Sequence, residues 1–178
     1  MGDLSEHFDK REFACKCGKV HEYEMNPELI TRLEKLHDLL NASAIYISSG
    51  YRCPEHSKSV GGYFNDAHTK SIAADITAAD ASGKTYDSDT IAEAAQICGF
   101  NGIGIISKTA VHVDVRNKNN YVNGHWFGDE RSGNDDISTF IRGTVFHPRT
   151  HTETKTEPKK HIIKMYIDDT LVYESEVK

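Results

Sequence analysis

The sequence predicts an α+β domain: an antiparallel sheet with packed helices, followed by a strand-rich tail. Three observations lead there. An amphipathic helix over residues 26–41 precedes the first strand-like run. Short apolar or alternating runs follow at 44–48, 72–77, 102–106 and 110–116. One further helical stretch, 88–98, interrupts them without regular βαβ alternation.

The run NPELITRLEKLHDLLN places Asn26 as a cap and Pro27 at the first helical position, where its missing N–H goes unmissed. Leu29, Leu33, Leu36 and Leu40 recur at helical spacing and define the buried face. His37 on this helix reads as a solvated or satisfied side chain. AIYIS is the first strand, and GYRCPEHSKSVGG after it is rich in turn residues. The second helix runs from Ser88 as cap to Gly99 as stop. GIGII and AVHVDVR, joined by SKT, form a hairpin.

Residues 1–147 read as the main domain. Residues 148–161, polar and bracketed by prolines, read as a linker. Residues 162–178 form two strands about an Asp168–Asp169 turn, a tail hairpin or the stub of a second module.

Bulk properties narrow the function. A chain of 178 residues holds one ordinary domain and a small appendage. Its net charge of -6 argues against general nucleic-acid binding. No apolar run approaches the roughly 20 residues that would span a bilayer, so membrane insertion is not expected. The start MGDLSEHFDKREF lacks a secretion signal, so the chain is expected to be made in the cytoplasm and to reach any outer target by another route. Cys15, Cys17, Cys53 and Cys98 are too few for a disulfide framework, and CKCG is spaced more tightly than usual zinc ligands. They are expected to be reduced, incidental thiols, with a second metal site or a disulfide as the alternatives.

The chemistry concentrates in DAHTKSIAADI and VHVDVR. A catalytic zinc site typically takes three protein ligands. His68 on a loop and Asp75 on the next strand can converge on one ion, and His112 can supply a third ligand. Period two puts His112 and Asp114 on one face and Val111, Val113 and Val115 on the other. Asp114 would then stand beside the metal as a general base. The plainer alternatives are a surface His-x-Asp pair and an Asp75 that merely ends a strand.

SGYRCPEHSKSVGGYFNDAHTKSIAADI followed by GFNGIGIISKTAVHVDVR resembles the zinc D-Ala-D-Ala carboxypeptidase family. The likeness runs from HFDKREFACKCG through HVDVR. That family includes phage and bacterial peptidoglycan endopeptidases and shares its fold with Hedgehog signalling domains. The resemblance implies a Hedgehog/DD-peptidase-like fold and one Zn2+ ion held by His68, Asp75 and His112. It implies Asp114 as general base and Arg52 as the arginine that holds the substrate carbonyl oxygen; an ordinary ion pair is the alternative for Arg52. His56 would contact substrate. Trp126 reads first as packing, with cleft lining as the alternative. Asp66 and Ser71 depart from the family's serine and glycine. Asp66 would alter substrate contacts, and Ser71 must accept the backbone shape of glycine.

The implied function is hydrolysis of an amide bond in the peptide stem of bacterial peptidoglycan, by an endolysin-type endopeptidase or a D,D-carboxypeptidase. Phage-type action on the cell wall, after holin release, is part of the same implication. The alternative is a non-catalytic zinc-containing module that binds cell wall or protein.

Overall fold

Alternation along the strands sorts the sheet into two unlike faces. The structure, a computed structural model, describes residues 2–121 and 123–142 in full, together with the backbone of strands His161–Ile167 and Thr170–Val177. Five strands make the main sheet: β1 (Ala44–Ser49), β2 (Ala73–Ala79), β3 (Gly102–Ile105), β4 (Val111–Asp114) and β5 (Trp126–Asp129), in the order β1-β2-β4-β3-β5. All neighbours are antiparallel except β3 and β5, which run parallel. The sheet is therefore mixed, not wholly antiparallel as expected, because the chain leaving β4 passes β3 before pairing on its outer edge. β5 itself went unread in the sequence.

Ile76, Ile103, Ile105, Val111 and Val113 are buried on one face. They join the core with Leu29, Leu33, Leu36 and Leu40 of α1 (Pro27–Leu40) and with Ile91, Ala92, Ala94 and Ala95 of α3 (Ser88–Ile97). Each fully buried leucine contributes about 1.5–3 kcal/mol relative to an exposed one. Asn26 caps α1 as expected, its side chain accepting from the Glu28 N–H. The cap of α3 is Asp87, not Ser88; its carboxylate accepts from the Thr90 N–H, while Ser88 is buried at the first helical position. The turn-rich stretch after β1 contains a short helix, α2 (Pro54–Ser59), which starts on its proline.

His37 is buried, not solvated; among the described residues neither ring nitrogen has a hydrogen-bond partner, Asp38 Oδ1 lies 3.8 Å from Nδ1, and the ring stacks on His7 at 3.7 Å. Burial lowers its pKa, so the ring is held neutral. The four cysteines are free thiols, and burial pushes the Cys98 thiol up to about 12. Cys15, Cys17 and Cys53 gather around His21.

In the tail, β6 (His161–Ile167) and β7 (Thr170–Val177) pair antiparallel. The expected linker up to residue 160 and the Asp168–Asp169 turn lie outside the described residues.

Candidate metal centre and active site

The register of the central strands builds the polar face. Asp75 of β2 stands directly opposite His112 of β4, and Gly104 of β3 flanks His112 on the other side. One step along, Ala73, Asp114 and Gly102 form the next row. Opposed residues project to the same side of a sheet, so two acids and a histidine share a floor of small residues. His68 arrives from the turn before β2. That turn is closed by the Ser71 N–H on the His68 carbonyl, with Ser71 at φ 57°. Ser71 does adopt the left-handed shape that glycine would take more cheaply.

Three atoms meet at the centre. His68 Nε2 lies 3.1 Å from His112 Nδ1 and 3.2 Å from Asp75 Oδ1, and His112 Nδ1 lies 2.9 Å from Asp75 Oδ1. Tetrahedral zinc with bonds of about 2.0–2.1 Å spaces such atoms by roughly 3.3 Å. The triangle has the size a metal ion needs.

The outer atoms decide what the inner ones carry. His68 Nδ1 donates to the Gly50 carbonyl at 2.8 Å, which leaves a lone pair on Nε2. His112 Nε2 donates to Asp114 Oδ2 at 3.0 Å, which leaves a lone pair on Nδ1. Two imidazole nitrogens and a carboxylate oxygen thus converge, an arrangement that a shared cation stabilises. A proton competes for the same position. Burial opposes a charged His112, yet Asp114 and Asp75 outweigh it and raise its pKa to about 9. Burial likewise opposes ionisation of Asp75, but hydrogen bonds with His112 and His68 hold its carboxyl below the usual range.

Arg52 pairs with the outer oxygen of Asp75 and donates through Nε to Ser49 Oγ at 2.7 Å. Its first partner is therefore a member of the triangle, not a distant surface acid. The Asp114 side chain, expected as the general base, is fully buried, bonded to His112 Nε2 on one side and ion-paired with Arg116 on the other. Burial opposes its charge, but His112 and Arg116 overcome that and keep it ionised well below the usual carboxylate range.

Asp66 is also spoken for. Its carboxylate accepts from Ser57 Oγ and from the Thr69 N–H at 2.9 Å, tying α2 to the His68 turn. A substrate contact through that carboxylate is not what its surroundings provide. His56 is half-buried on α2. Trp126 serves both of the roles weighed for it. Its ring packs over Gly104 and Gly128 and meets His112 edge-on at 6.2 Å. It also lines a hollow of about 360 Å³ with Tyr121, His125 and Asp136.

Two contributors were missed in the sequence. Arg116 lies two residues past Asp114, and the same period-two rule that joined His112 to Asp114 could have found it. Gly102 is needed because a Cβ there would collide with the Asp114 carboxylate.

A sheet presenting a His–Asp–His donor set on a glycine floor is of the class that can hold a metal ion. A family profile described as Peptidase M15 matches residues 6–114, more than half of the 178 residues, and the chain belongs to the Peptidase M15 family. The match includes all three inner donors and ends at Asp114. No curated protein and no solved structure matches the chain. Within that class the family is one of metallopeptidases.

Proposed function

We propose that this protein is a zinc-dependent peptidase that hydrolyses an amide bond in the peptide stem of bacterial peptidoglycan, with His68, Asp75 and His112 as the ligands. The observation that carries this reading is the convergence of three donor atoms whose outer atoms are each tied to a fixed partner. Such outer partners orient metal ligands and raise their basicity. When bound, zinc polarises a substrate carbonyl and lowers the pKa of a coordinated water to about 7.

The chain's own residues do the rest. Arg52 holds Asp75 through one oxygen and leaves the other facing the histidines. Among the described residues no hydrogen bond occupies Arg52 Nη1, so that edge is the donor offered to a carbonyl oxygen as negative charge grows on it. Asp114 acts through His112, fixing its tautomer, and Arg116 keeps Asp114 charged. Trp126 and the hollow beside it form the wall against which a peptide stem lies.

The test is incubation of the full chain with purified peptidoglycan, followed by mass spectrometry of the released fragments. New peptide termini that vanish with a chelator and return with zinc are expected. Loss of terminal D-Ala alone defines a carboxypeptidase; cleavage inside a stem or cross-bridge defines an endopeptidase. A folded, zinc-loaded chain that binds walls and releases nothing would overturn the enzymatic reading in favour of a binding module.

A further inference from the structure

Residues 14–26 connect a 3-10 turn (Lys10–Phe13) to α1 without helix or strand, with one tight turn at residues 16–17. A connection of that length without helix or strand needs some other restraint to hold one shape. The same stretch carries Cys15, Cys17 and His21, and all three side chains turn toward Cys53 at the start of α2. One ligand atom from each lies within 4.8 Å of the others, and Cys17 Sγ is 2.9 Å from His21 Nε2.

We propose that Cys15, Cys17, His21 and Cys53 bind a second, structural zinc ion. Three sulfurs and one imidazole are a complete tetrahedral set, with zinc–sulfur bonds of about 2.3 Å placing sulfurs roughly 3.8 Å apart. A disulfide would use two of the thiols and strand the third beside His21, whereas one soft cation uses all four groups. Cys15 Sγ also accepts the Cys53 backbone N–H at 3.3 Å, a donor that suits a thiolate, the form that zinc binds.

The site restrains the corner that serves the first centre. Cys53 directly follows Arg52, the clamp on Asp75. Gly50, whose carbonyl orients His68, packs on Phe13, and the Tyr51 N–H donates to the Phe13 carbonyl at 2.8 Å. Tying residues 15–21 to Cys53 therefore closes a ring around residues 50–53.

The experiment uses the full chain purified without chelator, its metal measured by mass spectrometry and its cobalt-substituted form by absorption. Two zinc ions per chain are expected in the parent and one in His112→Ala. The cobalt form of His112→Ala should keep intense thiolate charge-transfer bands in the near ultraviolet, and Cys17→Ser should lose them with one zinc. Should Cys17→Ser fail to fold, the spectrum of His112→Ala decides alone. A folded His112→Ala chain that takes up cobalt without thiolate bands overturns the proposal, as does recovery of any two of Cys15, Cys17 and Cys53 in a disulfide.

Discussion

The two clusters of donor atoms, His68–Asp75–His112 and Cys15–Cys17–His21–Cys53, are built on opposite kinds of scaffold. The first rests on sheet register: Asp75 and His112 are cross-strand partners, so hydrogen bonds of the ladder set their separation. The second rests on a connection with no ladder, where the donor atoms themselves supply the restraint. The first offers three protein ligands, the number that leaves a position for substrate; the second offers four, the number that closes a site. A preformed scaffold can hold an open centre. An irregular one needs the metal to hold it.

The largest break in this comparison is His112→Ala. It should abolish hydrolysis, a loss of at least about a thousandfold given the several kcal/mol a catalytic metal contributes. The unfolding transition should barely move, since the core lies on the other face. Lysis rate and calorimetry on one sample check both halves. Cys53→Ser should do the reverse at first order, lowering the unfolding temperature by at least about 5 °C because a structural metal's binding is folding free energy. An unchanged melting curve in the zinc-loaded variant would remove the distinction.

Asp114→Ala and Gly102→Ala sharpen the first centre. Both disturb the carboxylate behind His112, one by removal and one by collision. Zinc affinity should fall about 10- to 100-fold in each, the usual cost of losing an outer partner, as read by competition with a chromophoric chelator. Unaltered affinity with a collapsed kcat would return Asp114 to the role of proton acceptor. The smallest effect belongs to Asp66→Ala. Losing bonds to this half-buried carboxylate should cost about 1 kcal/mol of stability with KM unchanged, whereas a raised KM would make Asp66 a substrate contact.

The sequence was most legible where periodicity governs. Leucine spacing located α1, and alternation in VHVDVR put His112 and Asp114 on one face with the valines on the other. His68, Asp75 and His112 were legible as a set because a strand and the turn leading into it can converge in only a few ways. The partners of Asp114 were not, because alternation says which face a side chain takes but not which atom of its neighbour it touches; Arg116 donates to its carboxylate. The Cys15–Cys17 spacing alone did not bring Cys53 and His21 into view, because rules for paired ligands assume a regular turn and these two come from elsewhere in the chain.

The most direct measurement is a crystal of the zinc-loaded full chain with anomalous diffraction recorded at the zinc edge. The account predicts two peaks. One lies among His68 Nε2, Asp75 Oδ1 and His112 Nδ1 with a non-protein oxygen completing the coordination; the other lies among three sulfurs and His21 with none. A single peak, or a fourth protein side chain closing the first site, would contradict it.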